Sequence, residues 1–184
     1  MADISRIGFG QVEPNHLSAQ RTGQIFAQLP AASDITQLEN GQFVKYDYAE
    51  GVCNFEGAGE WMLVFNEVKL YDGWRETYKD FAMIADNYTP GGDIGHYGVG
   101  PFPGRMVPRV IKLNVGDIYT TNCIGGAGVK GAQSATTTVE VGNVLSPNAQ
   151  GFLAADGDGS VQMEVVKIYT MADGQAAVKL MRIK

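Results

Sequence analysis

The chain carries little positive charge, and its basic residues form no cluster. Its 184 residues include 14 Lys and Arg against 20 Asp and Glu, for a formal net charge of −6. Proteins that bind nucleic acid through its phosphates rely on clustered Lys and Arg, which release counterions on binding. The composition therefore argues against a nucleic-acid partner.

Long apolar runs are also missing. No segment approaches the roughly 20 apolar residues that a membrane span requires, and residues 1–10 contain no apolar stretch of signal-peptide length. The sequence therefore predicts no membrane partner and predicts assembly in a cytoplasm-like compartment.

Cysteine and histidine are scarce, with two of each. Cys53 and Cys123 lie far apart in strand-like surroundings, which favours two small buried thiols over a disulfide. Two cysteines cannot complete a zinc site by themselves. His16 and His96 each stand in a glycine- or proline-containing context away from other good ligands, so each is interpreted as a solvated loop histidine. No catalytic residue, metal site or cofactor is predicted.

Two acidic patterns suggest chemistry only weakly. Residues 156–160 read Asp-Gly-Asp-Gly-Ser and superficially resemble a calcium loop, but Val161 and Lys167 stand where an EF-hand requires glycine and glutamate. Glu56 and Glu60 flank a Gly-Ala-Gly segment next to Trp61, as a pair of glycosidase carboxylates could. A tight turn and exposed acids beside a hairpin are the preferred interpretations.

Glycine and short β-like segments are abundant, with 24 glycines in the chain. Short runs of alternating or continuous apolar residues are separated by turn signals, and Asn40-Gly41 is a β-hairpin signal. The continuous run Trp61 to Phe65 is typical of a strand buried on both faces. The last segment alternates, with Val178 and Leu180 on one face. The prediction is a mainly β fold, an antiparallel β-barrel or sandwich.

Two parts of the chain depart from this regular pattern. Residues 1–38 have weak periodicity and scattered Gly and Pro, which predicts an extended N-terminal arm before a β-rich body at 39–184. Within the body, residues 88–106 form a long Gly/Pro-rich loop that can be neither a helix nor a central strand. Residues 107–184 are predicted to form a C-terminal β-barrel-like part.

The arm and the long loop supply the candidate partner interface. The apolar stripe of the arm must be covered either by the protein's own body or by a neighbour, and aromatic residues near the long loop suit an interface. The candidate residues are Ile7, Phe9, Leu17, Ile25, Phe26 and Leu29 in the arm and Tyr88, His96, Tyr97, Phe102 and Arg105 in the long loop.

The C-terminal third carries a family resemblance. Residues 141–156, Val-Gly-Asn-Val-Leu-Ser-Pro-Asn-Ala-Gln-Gly-Phe-Leu-Ala-Ala-Asp, together with 161–183 and the segment Gly-Asp-Ile-Tyr-Thr-Thr-Asn at 116–122, resemble the small β-barrel proteins that decorate or cement the capsids of tailed bacteriophages. The resemblance implies a non-enzymatic virion protein on the capsid surface, assembled in the host cytoplasm. It also implies the major capsid protein as partner and shell stabilisation as function, with self-association into an oligomer left open.

Two alternatives stay open at this point. One is a receptor- or carbohydrate-binding module of a phage fibre or tail that uses Trp61, Trp74 or tyrosines of the long loop as stacking platforms. The other is a hydrolase that acts through Glu56 and Glu60.

Overall fold

The structure, a computed structural model, describes residues 1–66, 82–85 and 106–184. Of the predicted long loop at 88–106, only Met106 belongs to these ranges. The described residues form short strands and one helical turn, α1 (Ala19–Thr22). The strands are β1 (Ala2–Ile4), β2 (Ile7–Gly8), β3 (Val12–His16), β4 (Ile25–Phe26), β5 (Gln37–Glu39), β6 (Phe43–Asp47), β7 (Val52–Asn54), β8 (Trp61–Val64), β9 (Ala82–Ile84), β10 (Val110–Ile111), β11 (Ile118–Thr121), β12 (Val129–Gln133), β13 (Thr137–Val139), β14 (Val144–Pro147), β15 (Leu153–Ala154), β16 (Met163–Thr170) and β17 (Ala176–Arg182).

Two antiparallel sheets dominate the fold. One has five strands in the order β4-β10-β8-β6-β7, and the other has six in the order β15-β14-β16-β17-β11-β3. Three two-stranded sheets, β1-β13, β12-β2 and β5-β9, complete the described architecture. The mainly β, antiparallel prediction is confirmed in its sandwich form, because the sheets that residues 1–66, 82–85 and 106–184 form do not close into a barrel.

The main core lies between the two large sheets. Alternate residues of the six-stranded sheet point inward, among them Val165, Val178 and Leu180, and they pack with Phe43 and Leu63 of the five-stranded sheet. This arrangement follows from the period of two along a strand, which sends successive side chains to opposite faces.

The five-stranded sheet is buried on its second face as well. Trp61 and Leu63 belong to the main core, whereas Met62 and Val64 pack in a second core with Leu38 and other residues. The prediction that this run is buried on both faces is therefore confirmed. The second core also holds Ile35, Tyr46, Cys53, Met83, Met106 and Val110.

The N-terminal segment 1–38 is largely extended and runs along the protein's own sheets. Strand β1 pairs with β13, β3 joins β11 at the edge of the six-stranded sheet, and β4 joins β10 at the edge of the five-stranded sheet. Pro14 in β3 suits this edge position, because proline cannot donate a ladder hydrogen bond. The C-terminal part 107–184 correspondingly shares its principal sheet with a strand from the N-terminal segment.

Neither cysteine forms a disulfide. Cys53 and Cys123 are both free and buried, as the sequence predicts, and burial raises the pKa of each thiol to about 12. In the described part of the chain, no helix has the length and apolar character needed to span a membrane.

Candidate functional site

A buried ion pair fastens the N-terminal segment to the body. Arg6 and Glu39 both have fully buried side chains, and Arg6 Nη2 and Nε donate to Glu39 Oε2 at 3.0 and 3.2 Å. The guanidinium also donates to the backbone carbonyls of Ile124 and Gly126 and lies 5.9 Å from the centre of the Phe152 ring. Such a pair is tolerable in the interior only when its remaining donors and acceptors are also satisfied.

The Glu39 carboxylate has further donors. Gly10 N–H donates to Oε2 at 2.7 Å, and Gly128 N–H and the Gln37 side-chain amide donate to Oε1. A side chain on Gly128 would collide with the backbone oxygen of Gly8, so the chain can approach the carboxylate this closely only with glycine at that position. This network is structural: it joins segments that are distant in sequence.

A second group of charged side chains, here called the charged seam, closes one margin between the two large sheets. It consists of Lys45, Glu60, Lys112, Asp158 and Arg182. Arg182 Nη1 lies 2.7 Å from Glu60 Oε1, and Lys112 Nζ lies 3.0 Å from Glu60 Oε2. Because Glu60 immediately precedes β8 and Arg182 ends β17, the pair connects the five-stranded sheet to the six-stranded sheet.

The charged seam sets the ionisation of Glu60. Partial burial acts to raise the pKa of this carboxyl, but hydrogen bonds from Lys112 and Arg182 outweigh that effect, so its pKa lies below the ordinary value. A glycosidase acid requires the opposite, a carboxyl with a raised pKa. Glu60 is therefore held in its ionised form by the two neighbouring cations.

Lys45 and Asp158 form the other half of the charged seam, and both contact Trp61. Trp61 Nε1 donates to Asp158 Oδ2 at 2.7 Å, and Lys45 Nζ lies 4.4 Å from the centre of the indole ring. The Trp61 side chain is only 3% exposed, so its ring is not available as one of the stacking platforms that the carbohydrate alternative names. Trp74, named with it, lies outside the described residues.

The calcium-like segment folds as a turn, the preferred interpretation. Asp158 Oδ1 accepts hydrogen bonds from the backbone and hydroxyl of Ser160 at 2.9 and 2.6 Å, while its other oxygen is occupied by Trp61. Burial raises and these hydrogen bonds lower the pKa of Asp158, with a net decrease. Among the described residues, no group of three or more His, Cys, Asp or Glu side chains is arranged to hold a metal ion.

The candidate interface residues of the N-terminal segment have different surroundings. Phe9 and Leu17 are buried at 8% and 4% exposure, with Leu17 in the main core, so they are covered by the protein's own body. Ile25, Phe26 and Leu29 are partly buried against the two cores. Only Ile7, at 58%, is well exposed. The long-loop candidates Tyr88, His96, Tyr97, Phe102 and Arg105 lie outside the described residues.

Ile7 belongs to an exposed two-stranded structure, here called the N-terminal β-ribbon. It is formed by residues 2–8 running antiparallel to residues 129–139 through the β1-β13 and β2-β12 pairs. Val129, which pairs with Gly8, is 61% exposed. Ile4 and Val139 anchor the ribbon in the main core. The ribbon therefore presents apolar side chains to solvent from a fixed base.

Sequence reasoning missed the Arg6–Glu39 pair and the second strand of this ribbon. Arg6 has the same parity as the buried Ile4, which is a signal that its side chain points inward. Its partners at 39 and 124–126 are too far along the chain for a sequence pattern to identify.

No protein-family model, curated protein or solved structure matches the chain.

Proposed function

We propose that the chain is a non-enzymatic structural protein of a tailed-bacteriophage virion that binds the outer surface of the capsid and stabilises the shell. The observation that carries the proposal is the placement of the segments that resemble capsid decoration proteins. Residues 116–122, 141–156 and 161–183 contain β11 and β14 to β17, which are consecutive neighbours in the six-stranded sheet. The resemblance thus corresponds to one continuous structural unit.

The N-terminal β-ribbon is the surface that we assign to the shell. Its exposed Ile7 and Val129 are held on a base that Ile4, Val139 and the Arg6–Glu39 pair fix in place. Apolar side chains exposed from a rigid base bind a partner without a large cost of ordering. The assignment replaces a whole-arm anchor, because Phe9 and Leu17 contribute to the protein's own core.

The charged seam supports the non-enzymatic part of the proposal. Glu60 and Asp158 both have lowered pKa values, and their oxygens are engaged with Lys112, Arg182, Trp61 and Ser160. These contacts connect strands and turns, which is a stabilising role.

Binding to expanded empty capsids of the phage that encodes the chain tests the proposal. The Ile7→Asp/Val129→Asp double variant should lose at least about tenfold in capsid affinity, because two buried apolar contacts would be replaced by desolvated carboxylates. Co-sedimentation with capsids measures the occupancy. Val115→Asp is the matched control, since Val115 is 69% exposed but lies outside the ribbon, and it should bind as the wild type does.

Two results would contradict the proposal. Wild-type protein that does not co-sediment with capsids would overturn it as a whole, and specific glycan binding in that case would favour the receptor module. Equal occupancy of the double variant and the wild type would overturn the assignment to the ribbon. Deletion of residues 2–30 is a poor test, because it removes the buried residues Ile4, Arg6 and Val12.

A further inference from the structure

The described residues contain three Asp-Gly pairs, Asp156-Gly157, Asp158-Gly159 and Asp173-Gly174. A fourth pair, Asp72-Gly73, lies outside them. In such a pair the backbone nitrogen of glycine can attack the carboxyl carbon of the preceding aspartate, since glycine has no side chain to hinder the approach. The reaction also requires a carboxyl group and a nitrogen that are not held by other partners. The structure separates the three pairs on this criterion.

The pair at 158 and 159 is held by hydrogen bonds on both of its reacting groups. Asp158 Oδ2 accepts from Trp61 Nε1 at 2.7 Å, and Oδ1 accepts from the hydroxyl of Ser160 at 2.6 Å. The nitrogen of Gly159 donates to Ser146 Oγ at 2.9 Å. These bonds must break before the nitrogen can reach the carboxyl carbon, so they protect the pair.

The pair at 173 and 174 is held in the same way. Asp173 Oδ1 accepts from the backbone nitrogen of Gln175 at 3.0 Å, and Oδ2 accepts from the side-chain amides of Gln11 and Gln175, both at 2.7 Å. The nitrogen of Gly174 donates to the carbonyl of Met171 at 2.9 Å. This pair is therefore protected as well.

The pair at 156 and 157 has neither protection. Asp156 is exposed, and within the described ranges its carboxylate takes part in no hydrogen bond or ion pair. The nitrogen of Gly157 likewise donates to no acceptor in this part of the chain. We infer that Asp156 is a site of spontaneous isomerisation to isoaspartate, and that this modification opens the half of the charged seam that Lys45 and Asp158 form.

The reaction needs only water and proceeds in two steps. The nitrogen of Gly157 bonds to Cγ of the protonated Asp156 carboxyl, the C–OH bond breaks, and one water leaves with the proton of the nitrogen. The product is a cyclic succinimide. Water then adds to one of its two carbonyl carbons and breaks the bond between that carbon and the nitrogen. Cleavage at the main-chain carbonyl leaves isoaspartate, in which the backbone runs through Cβ and Cγ and the α-carboxylate is free.

Isoaspartate lengthens the main chain by one carbon atom where the fold has little room for it. A Cβ added to Gly157 would lie only 2.2 Å from the backbone oxygen of Ser146. The next residue, Asp158, donates its backbone N–H to the carbonyl of Pro147 at 3.0 Å and holds Trp61 through its carboxylate. A longer chain cannot keep all of these contacts in place. The hydrogen bond between Asp158 and Trp61 is therefore lost when the turn shifts.

Peptide mapping of the full folded chain, aged at neutral pH, tests the site. Mass spectrometry with electron-transfer fragmentation distinguishes isoaspartate from aspartate at each position. Isoaspartate should accumulate at position 156 at least about tenfold faster than at 158 or 173, because two or more hydrogen bonds must first break at those positions. In the chain unfolded by guanidinium chloride, the three positions should react at similar rates. Equal rates in the folded chain would overturn the assignment.

Two variants at position 156 give the matched controls. Asp156→Asn reacts through the same succinimide with loss of ammonia and needs no protonated carboxyl, so it should form isoaspartate faster than the wild type. Asp156→Ala removes the reacting group and should age without modification at this position. Absence of isoaspartate at 156 from both the wild type and Asp156→Asn would show that the folded turn prevents ring closure, and it would overturn the proposal.

Thermal melting tests the effect on the charged seam. The isoaspartate form, separated by ion exchange, should melt about 2 to 4 °C below the unmodified chain, because one hydrogen bond to a carboxylate is lost. In a Trp61→Phe chain, which lacks the hydrogen bond to Asp158 from the start, the same modification should lower the melting temperature less. An isoaspartate form that melts with the unmodified chain, or an equal loss in Trp61→Phe, would overturn the opening of the seam.

Discussion

At the residue scale, three carboxylates of this protein form ion pairs or hydrogen bonds that connect segments distant in sequence. Glu60 connects the two large sheets through Arg182 and Lys112, Asp158 holds Trp61 and its own turn, and Asp173 accepts from Gln11 and Gln175. For Asp173, partial burial raises the pKa and hydrogen bonds from Gln175 and Gln11 lower it, with a net decrease. Each of these carboxylates is therefore more stably ionised in the folded chain than in the unfolded chain.

The lowered pKa of Glu60 predicts a specific pH dependence of stability. Its contribution is fully present above the unfolded-state pKa, about 4.3, and is lost as the pH falls through the lower folded-state pKa. The Glu60→Gln variant should be less stable than the wild type at neutral pH by at most about 1 kcal/mol, since the side chain is 35% exposed and its ion pairs are screened. Urea unfolding at a series of pH values should show this difference disappearing in acid.

Glu56→Gln is the control for this pH series. Glu56 is exposed, and its substitution should change the free energy of unfolding by less than about 0.5 kcal/mol. A Glu60→Gln deficit that stays constant into strong acid would show that the carboxylate charge is not the source of the stabilisation.

At the scale of elements, the N-terminal segment forms part of the sheets, and residues 2–8 depend on one buried ion pair for much of their attachment. Strands β1 and β2 are short, with three and two residues, and pairing of such length contributes little by itself. The side chains of Ile4 and Arg6 supply the rest, as one enters the main core and the other reaches Glu39. The attachment of the segment therefore depends on a few buried side chains.

Arg6→Met tests this dependence. Removing the guanidinium leaves Glu39 as a buried carboxylate without its cation, which should cost about 3 to 5 kcal/mol in the free energy of unfolding. Chemical denaturation measures the loss, and Arg21→Met, at an exposed position in α1, should change stability by less than about 0.5 kcal/mol. A loss below about 1 kcal/mol for Arg6→Met would show that the segment is held by other contacts.

Individual strands were predictable from the sequence, whereas most of their partners were not. Alternation around Val178 and the continuous run from Trp61 to Phe65 indicate β17 and β8, because a period of two is a local signal. The hairpin predicted at Asn40-Gly41 is wrong, although the chain does turn there and Gly41 has a φ of 94°. The strands on either side of it nevertheless belong to different sheets, since β5 pairs with β9 and β6 pairs with β7 and β8. A turn signal fixes the local bend but does not fix the pairing.

The candidate site shows the same limit. The sequence distinguished apolar positions in the N-terminal segment, but it could not decide between cover by the body and cover by a neighbour. The side chains of Phe9 and Leu17 are buried in the protein's own body, whereas that of Ile7 is exposed. The exposure of these side chains depends on β11 and β12, which pair with β3 and β2. No local sequence pattern predicts that these distant strands lie next to the N-terminal segment.

At the scale of the whole molecule, the five-stranded sheet couples two cores. Its residues alternate between the main core and the second core, as Leu63 and Val64 do. Opening the second core would expose one face of a sheet whose other face is still packed. The two cores should therefore lose their structure in one cooperative transition, as small domains commonly do.

The reactivity of the two cysteines can test whether the two cores open together, because the thiols are buried at different positions in the fold. Cys53 lies in the second core, and Cys123 is buried beside Gly41, close enough that a side chain on Gly41 would collide with it. Because burial raises the pKa of both thiols to about 12, neither should react with a thiol reagent until the surrounding structure opens. Labelling rates of the single-thiol variants Cys53→Ala and Cys123→Ala under native conditions should give opening free energies that agree within about 1.4 kcal/mol, a factor of ten in rate. Faster labelling of Cys53 by much more than that factor would show that the second core opens alone, and that the shared sheet does not make the molecule one cooperative unit.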